Sequence, residues 1–171
     1  MQSEYFDLIV ATQDFHPANH LSFASQHGKT PGEIIELNGA PQVLWPDHCV
    51  ESTPGAELAT DLKTDKIART VQKGQKRGVD SYSGFFDNDH RTETGLGEYL
   101  KNENVDEVYV CGLATDYCVK YSALDARALG FETFLIEDAS RGVNLQSEDS
   151  QKAIEELKAA GIRVVQSRDL I

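Results

Sequence analysis

Apolar positions along this chain follow two rhythms, short continuous runs and helical stripes, which take turns. Residues 6–12 (Phe-Asp-Leu-Ile-Val-Ala-Thr) form an apolar run too short for a helix, the pattern of a strand buried on both faces. Residues 67–72 read as a second strand ending at Lys73-Gly74, and 108–113 as a third. A helix is expected over 116–129, with Val119, Ala123, Leu124, Ala126 and Ala128 on its buried side and Gly130 as its stop. Residues 133–137 give a further strand. Ser147 opens a last helix in which Ile154, Leu157 and Ala160 recur at helical spacing before Gly161, and 162–166 closes with a strand. Thr94 is placed to cap a short helix over Leu96, Tyr99 and Leu100, although Gly95 and Gly97 weaken it. Strands alternating with helices predict a Rossmann-like α/β fold of three layers, a parallel sheet with helices on both faces.

One stretch breaks the rhythm. From Gln13 to Pro54 the chain is rich in His, Asn, Ser, Gly and Pro and shows little periodicity, and connections of that length are usually functional. With 171 residues and no internal repeats, a single domain over 1–171 is expected. Sixteen basic against 28 acidic residues give a net charge of −12, which disfavours a surface for nucleic acid or anionic lipid and suits a small neutral or cationic substrate. No apolar run approaches the roughly 18 residues of a membrane span, and the basic-then-apolar order of a secretion signal is missing, so a cytoplasmic protein is expected.

Cys49, Cys111 and Cys118 are an odd number of thiols without disulfide spacing. Cys118 follows a strand and a tight turn at the start of a helix, where unpaired N–H groups favour a thiolate and can receive an oxyanion. That is the logic of a nucleophile elbow, and the residues alone leave it level with a buried structural cysteine. Cys111, mid-strand among Val and Tyr, reads as core. Cys49 reads as a packed loop thiol more readily than as a soft ligand. Past the first strand, Asp14, His16 and His20 can converge on a divalent ion, with His48 adding a third imidazole; the mixed donors suit Zn2+ and also admit Fe2+ or Mn2+. By spacing alone, a polar loop whose histidines bond the backbone is slightly favoured. His27 and His90 have no partners at ligand spacing and are expected in solvent. Lys73, at the carboxyl edge of a parallel sheet, faces the crevice where such folds bind ligands, and beside Cys118 it would depress the thiol pKa; taken alone, it reads more readily as a solvated strand-end lysine.

Taken together, the segments Ala11-Thr-Gln-Asp-Phe-His-Pro-Ala-Asn-His20, Ser22-Phe-Ala-Ser-Gln-His-Gly28, Trp45-Pro-Asp-His-Cys-Val50, Lys73-Gly74, Asp80-Ser-Tyr-Ser-Gly-Phe-Phe-Asp-Asn88, Gly112-Leu-Ala-Thr-Asp-Tyr-Cys-Val119 and Arg141-Gly-Val-Asn144 resemble the nicotinamidase (pyrazinamidase) branch of the isochorismatase-like cysteine hydrolases. The resemblance spans nearly the whole chain. It implies that Cys118 is the nucleophile supported by Lys73, that Asp14, His16, His20 and His48 bind a metal, usually zinc, and that the Leu113–Ala114 peptide is cis. It implies further that the Ala114 and Cys118 amides form an oxyanion hole and that Phe15, Trp45 and Tyr82 wall the pyridine ring. The implied reaction, a step of NAD salvage, is thiolate attack on nicotinamide, loss of ammonia and hydrolysis of the thioester to nicotinate. Isochorismatase-type relatives generally lack the metal cluster. A homo-oligomer is compatible with the resemblance but not required by it.

Two departures accompany the likeness. Relatives begin with a strand carrying the general-base Asp, then a helix; neither has a counterpart here, and neither Asp7 nor Asp116 substitutes for that carboxylate. A start assigned too far downstream or a truncated gene is the expected cause. Loss of a general base removes roughly 10²- to 10⁴-fold in rate, so a poor enzyme, or an inactive protein that still binds metal and ligand, is expected. An amidase for another heteroaromatic amide is the further alternative. The missing strand would lie inside the sheet, so the expectation is a gap, a rearrangement, or a strand lent by another chain.

Overall fold

The computed structural model describes residues 5–170. Strand β1 (Val10–Asp14) pairs in parallel with β4 (Arg69–Lys73), and β5 (Glu107–Leu113) pairs in parallel with β6 (Glu132–Arg141), which in turn pairs with β7 (Arg163–Val165). Among the described residues the parallel ladder is therefore split into a pair and a triplet, with β1 and β5 each presenting an unpaired edge. The gap lies in the sheet, as expected, and among the described residues no backbone hydrogen bond crosses it.

Side chains join the two ladders instead. Val10 and Val71 meet Val108, Phe131 and Ala126 in one core that also receives Leu96 and Leu100 of α1 (Leu96–Asn102). A second core packs Ala123 and Leu124 of α2 (Lys120–Ala128) and Ile154 and Leu157 of α3 (Asp149–Ala159) against Val110, Leu135 and Val164. Pleating turns Phe134 to the opposite face, where it stacks 4.2 Å from Tyr109 beneath the Arg163 guanidinium. The result is an α/β fold with a parallel sheet and helices. No helix among the described residues is long and apolar enough to cross a membrane.

Several expectations need correction. The first strand begins at Val10 rather than at residue 6, because its ladder partner spans only Arg69–Lys73. Cys111, read as core, is exposed, as is Leu113 beyond it, because β5 has a strand neighbour on one side only. The stretch from Gln13 to Pro54 contains an antiparallel hairpin, β2 (Ile34–Leu37) and β3 (Ala40–Val43). Asn38-Gly39 forms its turn with φ of 54° and 83°, the left-handed pair that a two-residue hairpin requires and that this dipeptide supplies. Gly95 rather than Thr94 is the N-cap of α1, with φ of 83°; the Thr94 hydroxyl, just before it, accepts the Leu96 amide at 3.2 Å and donates to the Gly84 carbonyl at 2.6 Å. The 116–129 helix starts as a π-helical turn over Thr115–Val119 before α2, a deformation frequent at functional sites.

Candidate active site

The register of the β1–β4 ladder sets Asp14 opposite Lys73 at the carboxyl ends of the two strands. Their side chains form an ion pair there, with the lysine buried. Lys73 Nζ also donates to the Ser81 carbonyl at 2.5 Å and to Cys118 Sγ at 3.5 Å. Lys73 is thus no solvated strand end. Burial would lower its pKa, but Cys118 and Asp14 more than reverse this and push it well above the ordinary lysine value. Burial would likewise raise Asp14, yet the Lys73 ammonium, with His16 and His48, holds its carboxyl below the usual carboxylate range.

Cys118 sits in the π-helical turn, reached through a Leu113–Ala114 peptide that is cis, as the resemblance implied. The Ala114 carbonyl accepts the Tyr117 and Val119 amides at 3.0 Å each and closes the turn. Buried Asp116, within the turn, accepts the Val143 and Asn144 amides at 2.9 and 2.7 Å and so ties the loop after β6 to the cysteine turn. Withdrawal of the sulfur from solvent pushes the Cys118 thiol up; Lys73 opposes this while Asp14 and Asp80 add to it. Among the described residues no carboxylate hydrogen-bonds the thiol.

Beside this pair lies the imidazole cluster. The His16 ring lies 4.5 Å from His20 and 4.9 Å from His48, centroid to centroid, and buried Phe23 packs 5.6 Å from each of the three. His16 Nδ1 meets the Gly74 carbonyl at 2.8 Å and His48 Nδ1 the Pro46 carbonyl at 2.8 Å. Each contact fixes Nδ1 as the donor and leaves the Nε2 lone pair free, which is how backbone carbonyls orient metal-ligating histidines. The histidines therefore bond the backbone and converge as well. Gly74 has φ +66°, and a Cβ there would lie 2.3 Å from the His16 ring, so glycine is required on both counts. His20 differs: Nδ1 lies 2.7 Å from Ser22 Oγ and accepts the Ser22 amide at 3.2 Å, while Nε2 faces the Val79 carbonyl at 3.2 Å. Both of its nitrogens are occupied in this arrangement.

The donor atoms fall into two adjoining groups, Asp14 with His48 and Cys49, and His16 with His20 and Asp80, each within 4.8 Å. The set expected from sequence, Asp14, His16, His20 and His48, is thus divided between two adjoining groups, each of which offers carboxylate and imidazole donors of the kind that fit a divalent cation of zinc type. Cys49 is half-buried beside Asp14 and His48. Burial holds His16 and His20 below the ordinary imidazole value, against the opposing pull of Asp80. His27 and His90 lie apart from the cluster: His27 is half-buried on the Leu21 carbonyl at 2.9 Å, and exposed His90 stacks on Phe86.

Trp45 and Tyr82 come together, with Trp45 Nε1 donating to Tyr82 Oη at 3.3 Å. Tyr117, which sequence reasoning missed, joins them at 4.7 Å from Trp45 and 5.4 Å from Tyr82. Its place directly before the nucleophile candidate was the available signal. Phe15 stands apart, since among the described residues no ring contact links it to Trp45 or Tyr82; its amide instead bonds the Lys73 carbonyl at 3.0 Å. Asp80 was also missed as a site residue, although it opens one of the motifs that carry the resemblance.

A thiol beside a buried lysine, a cis-peptide turn and a neighbouring imidazole–carboxylate cluster on a parallel α/β sheet define a cysteine hydrolase of isochorismatase type. Residues 36–169 match the isochorismatase domain, and the chain belongs to that family. It is 50% identical over 155 residues to the nicotinamidase of Escherichia coli K12, covering 91% of this chain and 73% of that protein. Its fold superposes on an Acinetobacter baumanii nicotinamidase pyrazinamidase with a TM-score of 0.94 at 46% identity, covering 98% of this chain and 81% of that one. A pyrazinamidase of Pyrococcus horikoshii, solved in complex with zinc, matches at 40% identity and a TM-score of 0.72, over 93% of this chain and 75% of the other.

Proposed function

We propose that this chain hydrolyses nicotinamide to nicotinate and ammonia through a thioester on Cys118, a step of NAD salvage in the cytoplasm. The observation that carries the reading is Lys73, buried between Asp14 and Cys118 and set beside a histidine cluster rather than in an empty crevice. The Cys118 sulfur, as thiolate, attacks the carboxamide carbon; the C–N bond breaks and the nitrogen leaves as ammonia, taking up a proton. Water then cleaves the thioester, releasing nicotinate and restoring the thiol. Lys73 stabilises the thiolate, and the Ala114 and Cys118 amides receive the oxyanion. Trp45 and Tyr82 hold the ring, with Phe15 at the margin. Asp14, His16 and His48, joined by His20 once it releases Val79, would hold a divalent cation, zinc by the donor set. When bound, that cation supplies an electron-pair acceptor for the pyridine nitrogen and for water.

The raised thiol and, among the described residues, the lack of a carboxylate hydrogen-bonded to Cys118 favour slow turnover, and they favour the second reading, a chain that binds metal and a pyridine amide without converting it. Ammonia release from nicotinamide, with Cys118→Ala as the control, separates the two. Turnover that the variant loses supports the first reading, and no turnover beside measurable nicotinamide binding supports the second. Running pyrazinamide in parallel shows which heteroaromatic amide is preferred.

A further inference from the structure

One buried carboxylate in the site has no task in this chemistry. Asp80 is 4% exposed, and its two oxygens accept only neutral donors, the Ser81 amide at 2.8 Å and Gln42 Nε2 at 3.2 Å. Among the described residues no lysine or arginine forms an ion pair with it. Lys73 gives its hydrogen bonds to Asp14, the Ser81 carbonyl and Cys118, and acts on Asp80 only through space. Gln42 is held in this orientation by its own bond from Nε2 to the Val43 carbonyl at 2.7 Å, so Asp80 meets two neutral donors and no directly bonded cation. Burying a charge without a counter-charge is strongly unfavourable.

The groups that give the charge a purpose are His16 and His20. Their ring nitrogens and the Asp80 carboxylate lie within 4.8 Å of one another, and all three residues are buried. The same turn of chain brings the Val79 carbonyl against His20, so one short segment presents both a carbonyl and a carboxylate to the imidazole pair.

We propose that Asp80 is a positioning residue of the metal centre, its carboxylate forming one electrostatic unit with His16 and His20 that holds the pair toward a divalent cation. The inference rests on the reading that this cluster binds such a cation.

The test uses the full chain and metal alone. Co2+ is titrated by its visible absorption and Zn2+ by competition with a chelator, for the wild type, Asp80→Asn and Asp80→Ser; the second variant covers a folding defect in the first. Removing an outer-shell carboxylate weakens metal binding about 10- to 100-fold. The metal-free Asp80 variants should each keep a cooperative thermal transition, so that the weaker binding is read on folded protein. The double variant Asp80→Asn/His20→Gln should bind no more weakly than His20→Gln alone. Unchanged affinity in the Asp80 variants, or additive losses in the double variant, would overturn the inference while leaving the metal centre intact. A wild type that binds neither metal removes both.

Discussion

At the scale of single residues, Lys73 is where the site is most sensitive. Its ammonium serves a carboxylate, a carbonyl and a sulfur at once, so Lys73→Gln strands Asp14 half-buried without its counter-charge. Breaking such a pair costs about 3 kcal/mol, to be read as a lower urea midpoint at constant m-value. The same variant removes the one influence that lowers the thiol, since burial, Asp14 and Asp80 all raise it. The rate of alkylation at Cys118, which follows the thiolate, should rise with pH only above the ordinary thiol range in the wild type, and at still higher pH in Lys73→Gln. Iodoacetamide labelling across a pH series checks the order; a profile that moves to lower pH contradicts the placement of the charge. Gly74→Ala pushes a methyl into the His16 ring. It should weaken metal affinity about tenfold or more, with little change in the Cys118 alkylation profile.

Between residues and the whole lie the elements, and here the sequence was legible in part. Strand and helix types along β4, β5, β6 and α3 follow from apolar rhythm, and Cys118, Lys73 and the histidine loop stand out because reactive residue types gather at strand ends. The limits of β1 were not legible, because a strand ends where its ladder partner ends, and pairing between distant segments leaves no mark on local pattern. Exposure of Cys111 was hidden for the same reason. The β2–β3 hairpin could have been found from Asn38-Gly39. Asp80 could not be found by spacing, since its meaning arises only when residues 16, 20 and 80 meet in space. Within the sheet, among the described residues, β6 alone is paired on both sides. Hydrogen exchange should therefore show its central amides, around Phe134–Ile136, as the most protected, with β1 exchanging sooner. Equal protection in the two strands would mean that the open edges are covered in solution.

For the whole molecule, protons and metal compete for the same cluster. Because burial depresses the folded pKa of His16 and His20, the unfolded chain binds more protons than the folded one as pH falls. Their contribution to stability is complete above the ordinary imidazole value and is lost as pH drops through it toward the depressed folded values. The contribution of Asp14, also depressed, is lost at lower pH still. Thermal melts from pH 8 to pH 4 should show the metal-free protein weakening first in the imidazole range. Zn2+ at about 100 times its dissociation constant should add about 2.7 kcal/mol at pH 8 and progressively less on acidification. A melting temperature flat across the imidazole range would contradict the burial of these rings.

Finally, the split between the two ladders runs through the chemistry itself. Asp14, Lys73 and the histidine loop hang from the β1–β4 pair, while Cys118 hangs from β5 of the triplet. No main-chain rung joins the halves among the described residues, so the 3.5 Å between ammonium and sulfur is set by how Val10, Val71 and Val108 pack. That distance works as a gauge of the seam: a slip between the halves too small to register as unfolding would first be felt as a change in how acidic one sulfur atom is.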